Sequence, residues 1–191
     1  MSNVWFGSDL HLGHTNMAGW RNFDSIEAHD QHWIDHWKDT VKKDDVVYLL
    51  GDMGSGGTKS TDHSLEIMAS LPGRKRLIYG NHDPLHPIYY KDQHKWFDKF
   101  NKVYEFHTPY TFKKIGGRRV LLIHFPIWQD HTEIPRHGTH RMANWTDLRI
   151  HGHTHSDVVE LSDVEFSVCP EAHNLNLVPL STIEKWAASK G

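Results

Sequence analysis

The chain has 191 residues, a net charge of -3 at pH 7 and an apolar fraction of 38%. This composition is typical of a globular protein with its own core, and it excludes a disordered or collagen-like chain. No apolar run approaches the roughly 18 residues of a membrane span, and the first residues lack the basic and apolar regions of a signal peptide. We therefore expect one domain, residues 1–191, located in the cytoplasm.

Residue counts also bear on the class of function. The chain has 21 basic and 24 acidic residues and no basic tract, so we expect no strong binding to nucleic acid. Cys169 is the single cysteine, cannot form an internal disulfide, and is interpreted as a core thiol. The 18 histidines are the unusual feature. Because imidazole is a common metal ligand, this excess directs attention to metal sites.

The first half of the chain alternates short apolar runs with helical patterns, as in an α/β fold. The predicted elements are a strand over 3–8, a helix from a cap at Asp24 or Ser25 to residue 43, a strand over 46–50, a helical segment near 65–71 and a strand over 76–79. The run over 46–50 is almost wholly apolar, which is typical of a strand covered on both faces.

The second half is richer in strands. They are predicted over 103–106, 110–114, 119–124, 148–150, 158–161, 164–168 and 175–178. Gly116 and Gly117 predict a hairpin turn, and a capping-box pattern over 181–184 predicts the start of a last helix. The segment 126–147 has no clear period and is long for a loop, so it is a candidate functional insertion. Together the elements predict an α/β sandwich whose two sheets are covered by helices.

Side chains of the types that bind metals follow five of these strands. They are Asp9 and His11, Asp52, Asn81 and His82, His124, and His153 and His155. Each residue alone is more often structural, but ligands collect at the carboxyl ends of strands in α/β sheets, so the set is expected to meet in one crevice. Asp9 and His11 are two residues apart, so an extended chain would direct both side chains to the same side.

In their order and spacing, these residues resemble the signature of the calcineurin-like metallophosphoesterases. The matching blocks are Asp9-Leu10-His11, Gly51-Asp52, Gly80-Asn81-His82-Asp83, His124 and Gly152-His153-Thr154-His155. The resemblance implies a four-layer αββα sandwich with two mixed sheets flanked by helices. It also implies two divalent metal ions and hydrolysis of a phosphoester by in-line attack of a hydroxide that bridges them.

The resemblance further implies a role for each residue. One ion would be held by Asp9, His11, Asp52 and His155. The other would be held by Asp52, Asn81, His124 and His153, with Asp52 bridging the two. His82 would be catalytic, as a general acid or transition-state stabiliser beside the leaving group. The mixed nitrogen and oxygen donors suit Mn, Fe, Zn, Co or Ni better than Mg or Ca, and Mn²⁺ is the first choice.

Two residues that are missing relative to the protein Ser/Thr phosphatases, and one insertion, bear on the substrate. Residues 51–57 lack the second Asp and the Arg of the protein Ser/Thr phosphatases, which argues against that activity and leaves Asp83 as a candidate to orient His82. The insertion is either part of the site rim or an ordinary surface loop. Its notable side chains are Trp128, Arg136, His137, His140, Arg141 and Trp145.

The short chain resembles small bacterial and phage phosphoesterases. The expected substrates are therefore small phosphodiesters, with cyclic nucleotides among them. A phosphomonoesterase, a nuclease and a non-catalytic metal-binding scaffold remain alternatives. His14 is interpreted as a substrate contact or a loop residue, and His151 as structural. The helix histidines His29, His32 and His36 are expected to be packed or solvated.

Overall fold

A computed structural model describes residues 2–130, 132–134, 136–142 and 148–190. The strands are β1 (Val4–Gly7), β2 (Val46–Leu49), β3 (Arg74–Ile78), β4 (Phe106–Thr108), β5 (Tyr110–Ile115), β6 (Arg118–Ile123), β7 (Leu148–His151), β8 (Glu160–Ser162), β9 (Glu165–Ser167) and β10 (Val178–Pro179). The α-helices are α1 (Thr15–Trp20), α2 (Ile26–Thr40), α3 (Thr58–Ser70), α4 (Phe97–Asn101) and α5 (Leu180–Ser189). None of the helices in these residues is long and apolar enough to cross a bilayer.

The strands form two five-stranded sheets, and both sheets are mixed. The first has the order β10-β1-β2-β3-β4, in which β1 to β4 are parallel and β10 is antiparallel to β1. The second has the order β5-β6-β7-β9-β8, in which β6, β7 and β9 are parallel and the two edge strands are antiparallel. The predicted α/β class, with two mixed sheets and helices, is confirmed.

Strand β2 shows how the sheets are layered. Val47 and Leu49 pack into a core with Trp33 of α2 and Leu65 of α3. The alternate residues of the same run belong to a second core, which lies between the sheets and also takes in Trp186 of α5. Successive side chains of a strand point to opposite faces, so an uninterrupted apolar run means burial on both sides. This prediction for residues 46–50 is confirmed.

A buried arginine of β7 holds two points of the segment that follows β6. Arg149 alternates with the inward-facing Leu148 and Ile150 and is itself completely buried. Its guanidinium donates to the carbonyl oxygen of Phe125 at 3.2 Å and to that of Met142 at 2.6 Å. A buried guanidinium needs several acceptors, and main-chain carbonyls at the two ends of this segment provide them. The main chain at Phe125 and Met142 is thereby fixed beside β7.

Local signals succeeded at one helix start and failed at another. Ser25, one of the two predicted caps, accepts a hydrogen bond from the amide of Ala28 at 3.1 Å, and α2 begins directly after it. The capping box over 181–184 was wrong, because α5 begins at Leu180 after Pro179 and has no side-chain cap. Helix α1 was not predicted.

Three strand predictions were displaced. The strand expected over 103–106 is β4, which begins only at Phe106, where the chain comes alongside β3. The strand expected over 158–161 is β8, which begins at Glu160. The strand expected over 175–178 is reduced to β10, a two-residue edge strand paired with β1. In each case the partner strand, and not the apolar run, sets the bounds.

Candidate metal centre

The chain turns sharply where the predicted ligands follow their strands. Five of those residues have positive φ angles, namely Asp9 (51°), His11 (51°), Asp52 (58°), His153 (74°) and His155 (49°). The chain therefore does not stay extended through Asp9 and His11, which was the condition for their side chains to point to the same side. A left-handed conformation costs a residue other than glycine about 1–3 kcal/mol, and such strain concentrates at functional sites.

Three of these side chains form a first group. The Nε2 atoms of His11 and His155 lie 3.2 Å apart, and they are 3.8 Å and 3.6 Å from Oδ1 of Asp9. Ligand atoms that bind one ion at about 2.0–2.2 Å lie about 3.0–3.6 Å from one another. The three atoms of this group are close to that spacing, so they could bind the same ion. The same three residues form one of the two clusters suited to a metal ion among the described residues.

The two carboxylate oxygens of Asp9 have different surroundings: Oδ1 faces the first group, and Oδ2 contacts other parts of the protein. Its Oδ2 accepts the amide of His153 at 3.0 Å and lies 3.6 Å from the thiol of Cys169. Its Oδ1 is buried and has no hydrogen-bond partner among the described residues. A buried carboxylate oxygen without a donor is unfavourable unless a cation completes it, so the arrangement fits a metal.

A second group forms around Asp52. Oδ2 of Asp52 lies 3.4 Å from Nε2 of His124, which is 3.1 Å from Oδ1 of Asn81. His153 completes the cluster with Asp52 and His124. Tyr89 donates its hydroxyl to the carbonyl oxygen of Asn81 at 2.8 Å, which secures this turn. The bridging of both ions by Asp52 stays a prediction.

Main-chain carbonyls set the proton position on two of the rings. Nδ1 of His11 faces the carbonyl oxygen of Gly54 at 3.1 Å, and Nδ1 of His124 faces that of Leu50 at 2.6 Å. A carbonyl only accepts, so Nδ1 carries the proton and Nε2 of the neutral ring is free to bind a cation. Burial lowers the pKa of His11 well below its usual range, so this ring is neutral.

The charge balance differs in the second group. Burial opposes the charged form of His124, but the adjacent carboxylate of Asp52 outweighs it and raises the pKa of His124 to about 9. The pKa of Asp52 is held well below its usual range, since the His124 charge and hydrogen bond outweigh the effect of burial. In the metal-free protein a proton therefore occupies the position that a cation would take, and metal binding would displace it.

His82 stands beside the second group with its ring partly open to solvent. Its side chain is 37% exposed, and its Nε2 lies 4.0 Å from Oδ2 of Asp52. Its amide donates to Oδ1 of Asp52 at 2.8 Å, while Nδ1 faces the carbonyl oxygen of Ser55 at 3.1 Å. Ser55 thus orients the ring. The candidate Asp83 does not, because its carboxylate accepts the amides of Asp52 and Gly80 at 2.9 Å and 2.7 Å.

The described part of the insertion contains a cluster of ion pairs and hydrogen bonds beside His153. The buried carboxylate of Asp130 lies 3.3 Å from Nε2 of His153 and accepts Nη2 of Arg141 at 2.9 Å. It also accepts the amide of Arg136 at 2.9 Å. Trp128 is 76% exposed. Trp145 lies outside the described residues.

Three other histidines named in the sequence analysis, His29, His36 and His151, are packed against the protein. His29 and His151 are completely buried, and burial is the main reason that the pKa of His151 falls to about 4. His36 accepts the amide of Leu177 at 3.0 Å, in keeping with a packed helix residue. The ring of His14 meets the ring of His11 edge to face at 5.3 Å, beside the first group. A substrate contact by His14 stays a prediction.

Comparison with known proteins identifies the family of the chain. The calcineurin-like phosphoesterase superfamily domain matches residues 3–170. The chain belongs to that superfamily. The chain is 42% identical over 167 residues to the Gene 66 protein of Mycobacterium phage L5, and the match covers 83% of this chain and 80% of that protein.

Two more distant relatives extend the comparison. The uncharacterized protein MJ1445 of Methanocaldococcus jannaschii is 26% identical over 179 residues, covering 93% of this chain and 81% of that protein. The crystal structure of the protein of unknown function AQ665 from Aquifex aeolicus matches with a TM-score of 0.72 at 23% identity, covering 97% of this chain and 99% of that one. At that identity the likeness shows the fold alone.

Three side chains near the ligands were missed in the sequence. Glu171 contacts His155, Arg21 contacts both Glu171 and the Asp9 turn, and Asp130 contacts His153. No local pattern marks them, since Arg21 and Glu171 are separated by 150 positions. The one available hint was the pair of arginines in the insertion, Arg136 and Arg141, since two such cations need an acidic partner.

Replacing Gly152 by alanine is expected to weaken metal binding at the first group and to lower the free energy of unfolding by about 1–3 kcal/mol. A Cβ there would lie 2.4 Å from Oδ2 of Asp9 and 2.6 Å from Oγ of Ser8, so Asp9 would have to move. Calorimetric metal titration and thermal unfolding measure the two effects. Gly19→Ala is the matched control, because a Cβ at Gly19 meets nothing within 4 Å. Equal metal affinity in the Gly152 variant and the control would contradict the prediction.

Proposed function

We propose that this phosphoesterase superfamily member is a dinuclear metal-dependent enzyme that hydrolyses small phosphodiesters. One observation carries the proposal. Two ligand groups are present, Asp9 with His11 and His155, and Asp52 with His124 and His153. His82 lies beside both, since its ring is 5.4 Å from that of His11 and its Nε2 is 4.0 Å from Oδ2 of Asp52. A partly exposed ring next to a buried ligand set is suited to act on a substrate held there.

The residues divide the work between binding and proton transfer. Bound divalent ions would activate water as the nucleophile and stabilise the negative charge on the phosphoryl oxygens. Asp52 contacts His124 and accepts a hydrogen bond from the main-chain amide of His82. This bond fixes the position of His82 relative to the ligand set. From there Nε2 of His82 can donate a proton to the departing oxygen or stabilise its charge.

The charges at the rim favour a diester over a monoester. A phosphomonoester carries up to two negative charges at neutral pH and gains from an additional cation. In the described part of the rim, Arg136 and Arg141 both pair with Asp130. One carboxylate shared by two guanidinium groups leaves a single positive charge in this part of the rim, which matches the single negative charge of a diester. The overall charge of -3 also disfavours long nucleic acid as the substrate.

Mn²⁺ is the proposed native metal, within a donor set that Fe, Zn, Co or Ni would also suit. The proposed location is the cytoplasm, where a thiol such as Cys169 remains reduced. The proposed partner is a small phosphoester, with cyclic nucleotides as one class to examine. No membrane partner and no strong binding to nucleic acid form part of the proposal.

The test is hydrolysis of bis(p-nitrophenyl) phosphate and p-nitrophenyl phosphate by metal-stripped protein, after each divalent ion is added back. We expect faster turnover of the diester, with Mn²⁺ as the most effective ion. Faster turnover of the monoester would contradict the diester preference. Protein that binds two ions and cleaves neither ester would support a binding scaffold, and faster cleavage of an oligonucleotide would indicate a nuclease.

A further inference from the structure

A hydrogen-bonded chain of side chains lies behind His155. Oε1 of Glu171 lies 3.3 Å from Nδ1 of His155 and accepts Nε and Nη2 of Arg21 at 3.0 Å and 2.8 Å. Glu171 belongs to the 3-10 helix Pro170–His173, and Arg21 directly follows α1. The Arg21 side chain is 3% exposed. The glutamate of this partly buried ion pair therefore contacts Nδ1 of a predicted metal ligand.

Arg21 also holds the turn that carries Asp9. Its Nη2 donates to the carbonyl oxygen of Asp9 at 2.8 Å, and its Nη1 donates to that of Leu10 at 3.1 Å. A guanidinium directs its five N–H groups from one rigid plane, so one side chain can set the positions of several acceptors. Two members of the first group, Asp9 and His155, are tied in this way to a single arginine.

The carboxylate of Glu171 is held in place on the side of His155 away from Asp9. Its Oε1 accepts two N–H groups of Arg21 and lies within 3.3 Å of Nδ1 of His155. A carboxylate that accepts from Nδ1 keeps the ring proton on that nitrogen and leaves the lone pair of Nε2 exposed. Nε2 of His155 is the atom that faces Asp9 and His11.

We propose that Glu171, held by Arg21, is a positioning residue that fixes the tautomer and ring orientation of His155 and thereby sets the metal affinity of the first group. This inference rests on the metal-binding part of the proposed function. On His11 and His124 the same Nδ1 position is satisfied by main-chain carbonyls, which a substitution leaves in place. Nδ1 of His155 contacts a side chain instead, so a substitution of Glu171 can remove this contact.

The first test compares metal binding by the full chain and by Glu171→Gln, using calorimetric titration of metal-stripped protein with Mn²⁺. We expect about 10- to 100-fold weaker affinity at one of two sites, with the other site unchanged. Glu66→Gln is the matched control, because Glu66 is an exposed residue of α3. A wild-type chain that binds no metal refutes the proposed function, whereas wild-type affinity at both sites of Glu171→Gln refutes the positioning role alone.

The second test needs no metal. Long-range ¹H–¹⁵N correlation spectra of the stripped protein at alkaline pH report which nitrogen of the neutral His155 ring is protonated. We expect the proton on Nδ1 in the wild-type protein and loss of this preference in Glu171→Ala, with a thermal unfolding curve showing that the variant is folded. An unchanged tautomer in the folded variant would overturn the proposal.

Discussion

Replacing Asp52 by asparagine is expected to lower diester turnover by at least about 1,000-fold and to reduce the metal content of the protein. Asparagine has the shape of aspartate but no charge, and Asp52 is 2% exposed between His124 and the amide of His82. Its Oδ2 is the oxygen nearest to the rings of both histidines. Steady-state kinetics and elemental analysis after dialysis measure the two losses.

The control for this substitution is Asp98→Asn, since Asp98 is an exposed residue of α4. We expect that control to keep its turnover and its metal. An Asp52→Asn protein that holds two metal ions and retains a tenth of the wild-type rate would contradict the assignment of Asp52. A melting temperature close to that of the wild type excludes misfolding as the cause of the loss.

Replacing His82 by alanine is expected to lower kcat by about 100- to 10,000-fold while leaving the metal content unchanged. The ring of His82 is the most exposed part of this cluster, and its Nε2 is 4.0 Å from Asp52. Its Nδ1 is taken by the carbonyl oxygen of Ser55. The ring therefore contributes through Nε2 alone, and its removal leaves both ligand groups complete. Elemental analysis and kinetics of the same preparation give both measurements.

The leaving group distinguishes the two roles open to His82. With the carbonyl of Ser55 on Nδ1, the ring donates from Nε2 only when it carries both protons. A proton donor matters most for a poor leaving group, so His82→Ala should lose more rate with an alkyl diester than with a nitrophenyl diester. Equal losses would favour charge stabilisation over proton transfer. Loss of metal from His82→Ala would contradict either role.

Much of the fold was predictable because burial leaves a direct pattern in sequence. The run over 46–50 alternates between two cores, and its apolar character at every position followed from that. The bounds of β4 and β10 were not predictable, because they depend on where a neighbouring strand runs. The start of α5 was misjudged because the chain is already helical at Leu180, before the apparent capping serine at 181.

The candidate site divides in the same way. Glycines beside metal-type side chains at successive strand ends indicated which residues would meet, and the structure brings Asp9, His11 and His155 within 4 Å of one another. The extended conformation considered for Asp9 and His11 does not occur. The local sequence could not show the positive φ angles, because they are imposed by contacts between segments such as the bond from His153 to Asp9.

The amino-acid sequence alone indicated the class of fold, the superfamily and the side chains of the two ligand groups, because buried strands and their ends produce local sequence patterns. Tertiary structure alone decided which atoms hold those side chains. Ser55 orients His82, and Glu171 with Arg21 contacts His155, through partners that are distant in the chain. Such partners have no periodicity or fixed spacing, since they are selected by proximity in three dimensions after the sheets have packed.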